Sequence, residues 1–413
     1  MATTSNSNYS KVSLNPVVLI TRLYYEFLSA KKQNNKLIEL NLEFKPTFKH
    51  FKHLPRSTIV NLSFLTSVFL FVLYVLPISF IMKFLLASGL IFLVTCPILS
   101  QFFLFGLPVL AWVFLFFSAP KIPVSWRPPI SVKVLPSMET ILYGDDLSVI
   151  LATRTNMLLD FLAWFPYGII HFVGPFVVAA LVWLFGPPTA LRSFGWSIGY
   201  MNLIGVIIQT LFAAAPPWYK NLYGLLPANY SMKGSPGGLG RMDDYFGFDM
   251  YTTTFSTAPV IFGAFPSLHS GISTMNALWL SYLFPKYSLA FFFYVCWLWW
   301  ATMYLTHHYF FDLTAGTALA ITFYYFARIH WLPIKKAGLF CRFNYTVLEY
   351  EDLNAVDPLN PINFNSTGGI VVGSAGEYIE LDEELSVDDS SSGQSTPVDD
   401  DDGSTVSSSV FTA

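Results

Sequence analysis

FGAFPSLHSG (residues 262–271) and YLTHHYFFDLTAG (residues 304–316) bound the stretch whose reading decides the fold. Between them lie two apolar runs divided by Phe284-Pro285-Lys286-Tyr287-Ser288, a turn that carries a charge. Each run is close to the length of one bilayer crossing. Two crossings return His269 and His308 to the same side of a membrane. Asp312 follows His308 by four residues, a spacing that puts both side chains on one helix face. Two imidazoles and a carboxylate thus converge at one membrane surface, which makes His269, His308 and Asp312 a candidate catalytic set.

Composition extends that reading to the whole chain. Of 413 residues, 54% are hydrophobic and only 12% charged, with 40 Phe, 22 Tyr and 11 Trp. A soluble domain carries about 25% charged residues. Repeated apolar runs predict an all-α polytopic membrane protein with about eight transmembrane helices. The polar, basic N-terminal stretch shows no cleavable signal peptide. Cys96, Cys296 and Cys341 are scattered and give neither a disulfide framework nor a metal-ligand spacing.

Charge divides the chain in three. Residues 1–56 hold nine Lys/Arg against three Glu, with an amphipathic piece from Val17 to Leu28, and read as a cytosolic segment on the membrane surface. Residues 57–345 hold the apolar runs and read as a transmembrane catalytic domain. After Arg342 there is no Lys or Arg, yet 15 of the 26 acidic residues lie from Glu349 onward. Residues 346–413 read as a disordered, acidic cytosolic tail that cannot bury a core.

Predicted spans are Ile59–Phe80, two short crossings within 84–117 meeting near Ser100-Gln101, one within Leu158–Phe185, then Phe194–Phe212, Ser267–Phe284, Leu289–Thr306 and Tyr309–Trp331. With eight spans the basic N-terminus, Arg192, Lys286 and the Arg328/Lys335/Lys336 group share one side, which the positive-inside rule makes cytosolic. Both termini are then cytosolic, and the loops 118–156 and 214–257 lie on the lumenal side with His269 and His308. Arg127, Lys133, Lys220 and Arg241 break the bias there. They are candidates for binding a substrate phosphate, with ordinary headgroup contacts as the even alternative.

Among other ionisable residues in apolar runs, Asp160 has no partner in sequence and reads as an interfacial residue. His171 reads as a packing residue, and His307 points away from His308 on a helix. An HxxxD pair plus one more histidine could ligate zinc, but no fourth ligand is evident and no metal is expected. Phosphoryl transfer through a nucleophile asks for what is present: an imidazole to attack phosphorus, a carboxylate to fix its tautomer, and a second imidazole to move protons.

The pair PSLHS and HHYFFD resembles the second and third motifs of the lipid phosphate phosphatase (PAP2) superfamily, PSGH and SRxxxxxHxxxD. That resemblance implies a six-helix core, with His308 as nucleophile, Asp312 as its orienting acid and His269 as acid and base. Leu268 replaces the motif glycine, and Ala301-Thr302 replace the Ser-Arg pair. Lys121 precedes Arg127-Pro128 by one residue too few for the first motif, KxxxxxxRP. The missing cations clamp a phosphomonoester. A phosphodiester carries one less charge, so the losses favour a lipid phosphodiester as substrate.

Longer stretches, among them RPPISVKVLPSMETILYGDDLS, AAAPPWYKNLYGL and SPGGLGRMDDYFGFDMYTTTFS, resemble the fungal inositol phosphorylceramide synthases, the targets of aureobasidin A. The resemblance covers roughly residues 60–345. It implies transfer of phosphoinositol from phosphatidylinositol to the primary hydroxyl of ceramide, a Golgi membrane location and a small membrane-bound regulatory subunit. No cofactor and no nucleic acid partner are implied. The alternatives are a lipid phosphate phosphatase, which would want the cationic clamp, a transporter, which would want polar groups along several spans, and a scaffold, which would leave His308 and Asp312 unexplained.

Overall fold

A computed structural model describes residues 16–35, 42, 56–330, 335, 338–345, 371–372 and 378–379. The chain falls into two units, residues 1–366 and 367–413. In the second, Val371–Val372 pairs antiparallel with Tyr378–Ile379. The rest of the predicted tail lies outside the described residues.

The first unit is helical and holds the eight predicted apolar helices. After α1 (Pro16–Lys32) they are α2 (Arg56–Val75), α3 (Phe80–Thr95) and α4 (Pro97–Ser118). Next come the short α5 (Val134–Tyr143) and α6 (Leu147–Ala152), then α7 (Met157–Trp164), which runs through a π-helical turn, Phe165–Ile170, into α8 (His171–Phe185). α9 (Ala190–Leu211) follows, then three short helices, α10 (Pro217–Tyr223), α11 (Gly240–Phe246) and α12 (Met250–Ser256). α13 (Leu268–Leu283), α14 (Ser288–Tyr304) and α15 (Phe310–His330) complete the bundle. Five of these stretches are long and apolar enough to cross a membrane outright, namely α2, α4, the α7–α8 run, α9 and α15. The shorter α3, α13 and α14 have 16 or 17 residues.

Two boundaries differ from the sequence reading, and proline explains both. The first crossing stops at Val75, short of Pro77, and a new helix starts at Phe80 with the Ser79 hydroxyl capping the Met82 N–H. The 84–117 run breaks at Cys96-Pro97 and not at Ser100-Gln101, because Pro97 takes the first helical position, where its missing N–H costs nothing. Pro108 stays inside α4.

α9 is the centre of the bundle: 61% of its span is buried, against 17–33% for the other four long stretches. Its small residues let neighbours close in, as membrane helices require when lipid supplies no hydrophobic drive between them. A side chain at Gly199 would strike the backbone of Pro108 and Val109 on α4. At one end of the bundle the predicted loops form a layer of short helices, tied together by a ladder of single bridges from Ser131 to Ala214 to Gly263. At the other end α1 docks on residues 340–345, with Asn344 donating to Glu26 at 2.6 Å and Phe27 edge-on to Phe343.

Candidate active site

The histidine motifs meet where the N-termini of α13 and α15 are pinned together. Ser267 caps α13 through its hydroxyl, and its own N–H donates to the Asp312 carbonyl at 3.0 Å. One turn on, the Ser270 hydroxyl donates to the Leu313 carbonyl at 2.7 Å. The approach depends on Gly316, since a Cβ there would run into the Ser267 carbonyl. Leu268, the residue in place of the motif glycine, sends its side chain onto Gly205 of α9, where a Cβ would strike it. The bulk added at 268 is thus accommodated by the missing side chain at 205.

This arrangement brings His269, His308 and Asp312 together. Nδ1 of His269 lies 2.9 Å from Nε2 of His308. Nδ1 of His308 lies 3.3 Å from Oδ1 of Asp312, close enough for an ion pair but off the line of a formed hydrogen bond. Apo catalytic contacts are often loose in this way and tighten with substrate. The other carboxylate oxygen, Oδ2, accepts from the Tyr309 N–H at 3.1 Å, which holds the Asp312 side chain against the start of its own helix. His308 and Asp312 are buried, and His269 is partly exposed.

A second ring of groups surrounds the set. Tyr167, on the π-helical turn, stacks on His269 at 4.6 Å and on His307 at 5.2 Å between ring centroids. Single π turns recur at functional sites because they re-aim one side chain without ending the helix. His171 lies 4.4 Å from the His269 ring, so this histidine packs, as read from sequence, but against a candidate catalytic group. His307 turns away and bonds through Nε2 to the Pro236 carbonyl at 2.9 Å. Burial, and then the neighbouring His308, press its pKa down to about 3, so the ring is neutral and donates that bond. Among the described residues no three His, Cys, Asp or Glu side chains are grouped to hold a metal ion.

The matches to known proteins fall on these same elements. The PAP2 superfamily model matches residues 135–326, from α5 through most of α15. The inositol phosphorylceramide synthase of Candida albicans is 53% identical over 366 residues, covering 86% of this chain and 77% of that protein. The catalytic subunit of the Saccharomyces cerevisiae inositol phosphorylceramide synthase is 51% identical, with 81% and 84% covered. The Schizosaccharomyces pombe catalytic subunit is 45% identical, with 75% and 74% covered. The chain belongs to the inositol phosphorylceramide synthase family. No solved structure matches it.

Three of the four basic candidates in this family member are engaged by the protein itself. Arg127 donates to the carbonyls of Ala119, Pro120 and Ile122 at 2.7–3.1 Å and lies over the Tyr230 ring. Lys220 pairs with Asp146 at 2.8 Å, and Arg241 grips Asp160 through Nε and Nη2 at 2.6–3.0 Å. The Lys133 side chain is exposed. Asp160, read from sequence as interfacial, is fully buried and carries four hydrogen-bond donors from distant parts of the chain. Its partner was invisible in sequence because it arrives from a segment 81 residues downstream.

Glu139 is a further member of the site region that the sequence reading passed over. It is fully buried, and Oε1 accepts from the Phe311 N–H at 2.7 Å, capping the helix that carries Asp312. Its other oxygen has no partner among the described residues. Burial, with Asp312 and Asp146 nearby, raises its pKa to about 7 despite the Phe311 bond. A readable signal existed, because Leu135 and Glu139 are four apart and share the buried face of α5.

Proposed function

We propose that this chain transfers phosphoinositol from phosphatidylinositol to the primary hydroxyl of ceramide, releasing diacylglycerol. The observation that carries the reading is the contact of His269 with His308, backed by Asp312, inside an apolar bundle. The relatives named inositol phosphorylceramide synthase support the choice of substrates.

The steps follow from the proton positions. With Asp312 facing Nδ1–H of His308, the lone pair of Nε2 is free to attack phosphorus. His269, then protonated, gives its proton to the departing diacylglycerol oxygen, leaving phosphoinositol on His308. Neutral His269 next takes the proton of the ceramide hydroxyl as that oxygen attacks, and His308 leaves. In-line displacement sets phosphorus between the attacking nitrogen and the leaving oxygen, so the direct His269–His308 bond opens when the diester arrives. Water must be kept from the intermediate, or the enzyme would act as a phospholipase. The stacked Tyr167, His171 and His307 rings support such exclusion.

For the headgroup, exposed Lys133 offers a whole ammonium. Arg127, Lys220 and Arg241 offer only the donors their own partners leave. The active site is lumenal in a Golgi membrane, with N- and C-termini cytosolic. Three of the four basic residues that break the positive-inside bias at the histidine end, Arg127, Lys220 and Arg241, are engaged locally by backbone carbonyls, Asp146 and Asp160, which supports that orientation. A small membrane-bound regulatory subunit completes the proposal, and the naming of the S. cerevisiae relative as a catalytic subunit supports it.

Purified protein in detergent, given labelled ceramide and phosphatidylinositol, should form a labelled phosphoinositol lipid with diacylglycerol in equal amount. Release of phosphoinositol to water, with ceramide unused, would mean a hydrolase. In sealed vesicles a cysteine at Ser235 should resist membrane-impermeant thiol reagents while one at Ser288 reacts, and the reverse pattern would overturn the orientation.

A further inference from the structure

The turn that presents His308, between the end of α14 and the start of α15, does not hold its shape alone. Thr306 has φ +65°, a left-handed conformation that a β-branched residue adopts only when its surroundings impose it. Those surroundings are identifiable. The Trp218 N–H donates to the Thr306 carbonyl at 2.9 Å. From the other side the segment Pro236–Gly238 lies across the turn: Gly238 N–H donates to the Leu305 carbonyl at 2.9 Å, and His307 bonds to the Pro236 carbonyl at 2.9 Å. Gly237 and Gly238 permit that approach, since a Cβ on either would press on Leu305.

What fastens this segment is the Arg241–Asp160 pair. Arg241 stands three residues past Gly238, on the first turn of α11, and reaches both oxygens of Asp160 on α7. Tyr245, one turn later on α11, donates to the same carboxylate at 3.0 Å. Tyr304, the last residue of α14, donates to it at 2.8 Å. Thus the buried carboxylate joins the overlying segment, the helix under it and the helix that leads into the His308 turn. Asp243 closes the far side of α11 by accepting from the Tyr251 and Thr252 N–H groups at 3.0 and 2.7 Å.

We propose that Asp160 and Arg241 are positioning residues, which strap the 236–246 segment across the Leu305–Tyr309 turn and so fix where the His308 ring stands. The role rests on the reading of His308 as nucleophile. It makes Arg241 a fastener of the loop and not a clamp on the substrate phosphate.

Arg241→Lys separates these two roles. A lysine keeps the charge and remains a good phosphate ligand, but it cannot reproduce the two-pronged grip on a carboxylate. Strapping predicts a fall in kcat of about tenfold or more, as loss of reactive geometry brings, with KM for phosphatidylinositol within about twofold. Asp160→Asn should show the same split, and the double variant should be no worse than the poorer single, as for residues acting through one contact. Tyr304→Phe, a milder change that keeps the ring, guards against loss of folding and should lower kcat less. Hydrogen exchange measured on intact protein should show amides 305–309 exchanging faster in Arg241→Lys and Tyr304→Phe. A raised KM with kcat intact would overturn the proposal in favour of phosphate binding. Unchanged exchange at 305–309 would overturn it whatever the kinetics. Full activity in His308→Ala would instead remove the nucleophile reading and leave the exchange result standing.

Discussion

Nδ1 of His269 and Nε2 of His308 stand 2.9 Å apart, and the far nitrogen of His308 faces Asp312 at 3.3 Å. One proton on each of two ring nitrogens satisfies this chain, with His308 donating toward Asp312 and His269 donating to His308. In that pattern the Nε2 lone pair of His308 accepts from His269, so in the proposed mechanism the diester displaces this bond before attack, and His269 takes a second proton before it serves as the acid.

His308→Ala should abolish transfer while folded protein persists. Removing the nucleophile of a covalent mechanism costs several orders of magnitude in rate. Steady-state turnover in detergent checks it, and retention of more than about a tenth of wild-type rate would place the nucleophile elsewhere.

Asp312→Asn should lower kcat by up to about 10⁴-fold, as in an analogous triad whose carboxylate fixes the imidazole tautomer. An amide of the same shape keeps the Tyr309 N–H bond through its carbonyl oxygen, so the loss should appear in rate and not in thermal stability. Equal losses in both would mean that Asp312 serves the fold.

Much of this site was legible because its spacing is local. His269 lies two residues past Ser267 and Asp312 follows His308 by four, so each pair is read from a short stretch, although His308 stands in the turn before α15 and not on the helix face that the spacing predicts. Eight apolar helices were legible for the same reason. Glu139 and Tyr167 were not singled out, and Asp160 was read as interfacial, because each acts across more than 80 residues of chain: Phe311 is 172 residues from Glu139, and Arg241 is 81 from Asp160. The substitution of Leu268 for the motif glycine shows the same limit. Its accommodation sits on Gly205 of another helix, and nothing near Leu268 in sequence announces it.

Gly316→Ala tests the helix contact on which the site depends. Its Cβ has nowhere to go but the Ser267 carbonyl, so α13 and α15 must part. Forced overpacking costs about 1–3 kcal/mol, and here it should also pull His269 from His308, cutting turnover further than the stability loss alone. Gly89→Ala on α3 meets nothing within 4 Å and serves as the control. Equal behaviour of the two variants in turnover and melting would contradict the close packing described.

Glu139 predicts a pH dependence with a definite sign. Its folded pKa, about 7, lies above its unfolded value of 4.5, so between these the folded state holds more protons than the unfolded state. Stability from this group is therefore full below pH 4.5 and lost as pH rises to about 7. Melting temperature in detergent should fall over that window, and Glu139→Gln should flatten the fall. An identical slope in the variant would show that Glu139 is ionised throughout.

The stereochemical course at phosphorus tests the central claim most directly. Phosphatidylinositol carrying sulfur in place of one non-bridging oxygen has a chiral phosphorus, and so does the phosphorothioate product made from it. Attack by His308 followed by attack by ceramide inverts that centre twice. The account predicts net retention of configuration, and net inversion would show that ceramide displaces diacylglycerol in a single step, without a phosphoinositol-histidine intermediate.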